Sequence, residues 1–117
     1  MVELSQVKQY LRIDTDEEDA LLGTLMKVAE TYLVDAIGGF RLIYELDVDF
    51  AAKADFVMLV LTAELYANRA DDNHGDYSYA VRTLINQLAY WSKGYEELEA
   101  MEAITSEEIA SVVGASR

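Results

Sequence analysis

The residues of this chain that are capable of chemistry are nearly all carboxylates. Twenty-two acidic residues stand against nine basic ones, with a single histidine and no cysteine. Asp14, Asp16, Glu17, Glu18 and Asp19 crowd one short stretch, and Asp71, Asp72 and Asp76 surround His74 in another. Clustered carboxylates suit a hard cation, but the first group lacks the glycine and alternating oxygen ligands of an EF-hand loop. His74 has too few neighbours of the right type for a metal site. No Gly-x-Ser-x-Gly elbow, Gly-x-x-x-x-Gly-Lys phosphate loop or His-Glu-x-x-His occurs. A Ser-His-Asp machine would have to use His74 in a polar loop. Paired carboxylates serve glycoside hydrolysis, yet these acids fall at helix starts and on outer faces. We therefore expect no enzyme, no catalytic residue, no cofactor and no metal.

The elements carrying these residues read as helices. Asp49–Ala70 is apolar nearly all round from Phe56 to Ala67, the pattern of a central buried helix. Its charge-free run is too short to cross a membrane. Leu4, Val7, Tyr10 and Leu11 mark a short first helix with Ser5 as a candidate N-cap. Thr15-Asp16-Glu17-Glu18 has the form of a capping box. It would open a second helix running to Ile37, with Leu21, Leu25, Val28, Tyr32 and Ala36 as its main stripe. Leu22, Ala29, Leu33 and Ile37 broaden that stripe, and Gly38-Gly39 ends the helix. Gly23 either admits a close neighbour or has no packing role. Phe40–Val48 alternates apolar and polar residues, broken only by Ile43, and predicts an extended arm. Such an arm would wrap over the helices or pair with another subunit. Asp47 or Asp49 caps the central helix. A fourth helix is predicted over Ser78–Ser92, with Val81, Leu84, Ile85, Leu88 and Trp91 inward and Lys93-Gly94 closing it.

Beyond Gly94 the composition turns acidic. We expect residues 1–94 to form the domain and 95–117 an acidic C-terminal appendage of short helices. The fold class expected is all-α: a single-domain bundle of about four helices around a central apolar helix, with an extended arm and a short helical tail. Contact surfaces are expected at Phe40, Leu42, Tyr44 and Leu46 in the arm, and at Tyr77, Tyr79, Trp91 and Tyr95, because tyrosine and tryptophan favour interfaces.

The acidic balance argues against a nucleic-acid binder, which needs a basic footprint. It suits simple solubility, a passage that DNA traverses without sticking, or a mimic of nucleic acid. The N-terminus, with Glu3 early and no apolar core before a small-residue site, does not read as a signal peptide, so a cytoplasmic origin is expected.

The order Leu4-x-x-Val7-Lys8-x-Tyr10-Leu11-Arg12-Ile13-Asp14, Glu18-Asp19-x-Leu21-Leu22 and Ala29-x-x-Tyr32 resembles the first half of phage head–tail connector proteins. Leu65-Tyr66-x-Asn68-Arg69 and Val81-x-x-Leu84-Ile85-x-Gln87-Leu88 resemble the second. The resemblance covers about Leu4–Tyr90. It implies a homo-oligomeric ring below the portal protein that extends the DNA channel, passes DNA without specific binding, and presents a platform to a stopper or tail-completion protein. The place implied is the virion neck, reached after assembly in the host bacterial cytoplasm, with no membrane involved. Lys8, Arg12, Asp14, Asp19 and Arg69 fall on the family's recurrent polar positions. We expect Arg69 to pair with Asp14 or Asp19 as a structural latch. The rival reading is an acidic DNA-mimic inhibitor of a basic host protein; a small hydrolase is a weaker third.

Overall fold

The centre of the molecule is a helix that is apolar nearly all round. The structure, a computed structural model, describes the backbone of residues 1–69 and 78–115 and the side chains of residues 1–69 and 78–97. Helix α1 spans Leu4–Leu11, α2 Asp19–Ala36, α3 Phe40–Leu46, α4 Val48–Ala67 and α5 Tyr79–Ala115. The protein is an all-α single domain, with no strand among the described residues. Helix α4 buries Phe50, Ala54, Val57, Met58, Leu61 and Thr62, and touches each of the other four helices. Thr62 is tolerated in the core because its hydroxyl donates to the Met58 carbonyl at 2.7 Å, so that this buried polar atom is paired.

The segment expected to be an extended arm is helical. Phe40 and Ile43, three apart, are buried against the core, and Tyr44 follows on the same face. A lone strand would leave its backbone groups without partners, whereas a helix satisfies them internally. Ile43 N–H donates to the Gly39 carbonyl at 3.0 Å, and Asp47 N–H to that of Ile43 at 2.9 Å. Gly39 starts the helix from the left-handed region, φ 69°, which glycine adopts without steric cost. Ile43, the residue that broke the alternation, was the helical signal.

Helix α2 also differs from its sequence reading. Leu22, Ala29, Leu33 and Ile37 carry the burial, while Leu21, Val28 and Tyr32 of the expected main stripe are exposed. Both stripes satisfy helical spacing, and packing against α4 selects the second. Nor does the Thr15–Glu18 capping box form: Glu18 is the N-cap, and residues 16–18 make a preceding turn. The carboxylates there are drawn to Lys8 on the last turn of α1. Helix α1 itself starts after Glu3 rather than at Ser5, with Glu3 N–H donating to the Gln6 side-chain oxygen at 2.8 Å.

Helix α5 packs Val81, Ile85 and Leu88 inward as the spacing predicts, with Leu84 and Trp91 partly buried beside them, and also buries Ser92, which the spacing did not single out. It does not stop at Lys93-Gly94 but continues unbroken to Ala115. Thirty-seven residues at 1.5 Å each make a rod of about 55 Å. The molecule accordingly measures 70 × 28 × 18 Å with a radius of gyration of 19.5 Å, against about 13 Å for a compact chain of this length.

Candidate assembly surfaces

Two polar joints fix the helices before any surface is presented. At the first, Lys8 Nζ lies 2.7 Å from Asp16 Oδ1 and 2.9 Å from Asp19 Oδ1. The hydrogen bond to Asp16 is the main reason that the Lys8 pKa is raised, and the same bond lowers that of Asp16. Arg69, at the end of α4, stacks on the Tyr66 ring with its guanidinium carbon 4.0 Å from the centroid, and donates to the Tyr66 carbonyl. Its carboxylate neighbour is Glu18, at 3.9 Å. This corrects the latch expected with Asp14 or Asp19: Lys8 has taken Asp19, and Asp14 is exposed. The Tyr66 phenol also donates to Glu18, and that bond raises the pKa of the phenol.

The second joint is Asp47, between α3 and α4. Its Oδ1 accepts from the Asp49 and Phe50 amides at 3.0 and 3.1 Å, capping α4. Its Oδ2 accepts from the Tyr95 hydroxyl of α5 at 2.6 Å. The Tyr95 bond first, and then the Phe50 amide, lower the Asp47 pKa, since each stabilises the charged form. Phe40, Phe50 and Trp91 run edge-on beside it, at centroid spacings of 5.7 Å. Ser92 donates to the Gly38 carbonyl, and a Cβ on Gly38 would stand 2.9 Å from Glu96 Oε1. That atom is the end of a flexible side chain and the next, Ser92 Oγ, is at 3.9 Å, so Gly38 is not required by the approach of α5; a Cβ on Gly23 or Gly94 would meet nothing within 4 Å. Tyr44 donates to Asp55 at 2.7 Å, and burial followed by that bond pushes its phenol up to about 12.

The residues expected at interfaces divide accordingly. Phe40 is buried, while Tyr44, Trp91 and Tyr95 pack against the core. Leu42 and Leu46 face outward on α3 with Val48 beside them, respectively 54%, 69% and 82% exposed. Tyr79 is exposed at the start of α5, and Tyr77 and His74 lie outside the described residues. The Asp47–Tyr95 joint was missed because its partners are 48 residues apart. Ser92 left a fainter signal, as a small polar residue on an otherwise apolar stripe.

Among the described residues no group of three or more His, Asp and Glu is placed to hold a metal, and no helix is long and apolar enough to cross a membrane. What remains is a helical module whose helices are tied by polar joints and whose surface carries apolar side chains such as Leu42, Leu46 and Val48. The chain belongs to the phage gp6-like head-tail connector family, whose model matches residues 1–110. Comparison with curated proteins and with solved structures finds no match.

Proposed function

We propose that this chain is the subunit of a ring seated beneath the portal of a filled phage head, where it extends the DNA channel and docks the stopper or tail-completion protein. The observation that carries this reading is the family match over residues 1–110. The ring works by assembly and docking, without catalysis. Its acidic surface, 22 carboxylates against 9 basic residues, repels the phosphates of DNA passing through and so disfavours capture of the moving strand. The outward Leu42, Leu46 and Val48 supply a docking edge, and the acidic C-terminal part of α5, beyond the Tyr95–Asp47 joint, reaches past the bundle towards a neighbour. The ring is assembled in the host cytoplasm and resides in the virion neck.

The test is complementation of heads. Phage lacking this protein should accumulate DNA-filled heads that fail to join tails, and adding the purified chain should restore joining. Normal tailed particles without it would overturn the reading.

A further inference from the structure

The corner between α3 and α4 presents apolar side chains that its own chain leaves uncovered. Leu42 and Leu46 stand one turn apart on α3, and Val48 opens α4 two residues later. Ala52 and Phe56 continue the Val48 side of α4 in steps of four residues, each about 40° round from the last. All five are exposed, Phe56 by 50%. Exposed apolar side chains gathered in this way mark a contact site. The described residues include no strand whose edge a partner could extend, so recognition here runs through side chains, as when an amphipathic helix lies on an apolar surface.

Charge selects what this strip accepts. Glu45 lies beside Leu42 and Leu46 on α3, and Asp49 falls about 20° from Phe56 round α4. Both are exposed, and neither has an ion-pair partner among the described residues. Asp47 and Asp55 accept from the neutral hydroxyls of Tyr95 and Tyr44, which leaves their charges uncancelled. Against these four carboxylates the same stretch offers Lys53, half-buried, and Arg41, which Glu30 holds at 3.2 Å. The strip is therefore apolar with a negative margin. A second copy, at a net charge of −13, brings like charge to it, whereas lysine or arginine beside an apolar segment brings the opposite sign.

We infer that the α3–α4 corner binds a cationic amphipathic helix of a different protein. Its apolar side chains cover Leu42, Leu46, Val48 and Phe56, and its lysines or arginines pair with Glu45 and Asp49. The inference rests on the docking edge proposed above and adds the chemistry of what docks there.

The test uses the full chain and a helical leucine–lysine peptide carrying a benzophenone, with a leucine–glutamate peptide of the same pattern as its control. The lysine peptide should bind at least tenfold tighter than the glutamate peptide and cross-link within residues 41–56. Glu45→Gln combined with Asp49→Asn should weaken its binding at least fivefold, and so should Leu46→Gln, each with unchanged far-UV circular dichroism. Asp14→Asn combined with Glu17→Gln removes two exposed carboxylates beside Glu18, which meets Arg69 at the opposite end of α4, roughly 30 Å away. That pair should change the binding less than twofold, because such distant charges are screened at physiological salt. Equal losses from the two pairs, equal binding of the two peptides, cross-links outside the corner, or no binding overturns the inference. Self-association of the chain that Val48→Glu abolishes overturns it in favour of a second copy. None of these results touches the ring reading, which the tail-joining assay decides without any peptide.

Discussion

Leu21 and Leu22 are adjacent, identical in type and set on the same helix, so their alanine variants isolate the effect of direction. Leu22 is fully buried and Leu21 is 36% exposed. Leu22→Ala removes a sealed core side chain and leaves a cavity, at a cost of about 3 kcal/mol. Leu21→Ala removes a side chain already partly hydrated, at a position that water refills, for about 1 kcal/mol. The change in helix propensity is common to both and cancels. The predicted gap of about 2 kcal/mol corresponds to about 8 °C in melting temperature for a domain of this size. Urea unfolding followed by the fluorescence of Trp91, packed edge-on to Phe50 at 5.7 Å, reads it directly. Equal losses, or a larger loss for Leu21→Ala, would refute the assignment of the α2 faces.

Arg69→Ala should lower stability by no more than about 1–2 kcal/mol, since its pair with Glu18 is 3.9 Å long with both side chains about 40% exposed and its stacking on Tyr66 adds only about 0.5–1 kcal/mol. A double-mutant cycle with Glu18→Gln checks it, and a coupling well above 1 kcal/mol would show a stronger latch than the geometry supports. The lowered pKa of Asp47 and Asp16 means that their contributions are present above the ordinary carboxylate value, about 3.9, and are lost as pH falls through the depressed folded values. Tyr95→Phe removes the main cause at Asp47 and should flatten the acid limb of a stability–pH curve; an unchanged limb would count against the joint. Gly94→Ala should raise stability by about 1 kcal/mol, because a Cβ there meets nothing within 4 Å and alanine favours the helix. Gly39→Ala should lower it by about 1 kcal/mol, because φ is 69° there; opposite signs in thermal melts are the expected result.

What the sequence determined by itself was the centre and the family. Helix α4 is apolar nearly all round, with Asp49, Lys53 and Glu64 gathered on one side, so its sequence alone places most of it inside. The order of weak motifs from Leu4 to Tyr90 likewise identified the connector family, because motif order survives whatever the packing. Directions were another matter. Helix α2 carries two apolar stripes of equal helical quality, and only contact with α4 decides that Leu22, Ala29 and Leu33 go in while Leu21 and Val28 stay out. Phe40–Leu46 fits a strand by alternation and a helix by Phe40 and Ile43; the absence of any strand to pair with, among the described residues, leaves the helix as the form that satisfies its backbone. Arg69 had several acids within reach on paper, and Lys8 settled the choice by taking Asp19. In each case local spacing permitted two answers, and the free energy of burying one face or pairing one charge, a quantity set by residues distant in the chain, selected between them.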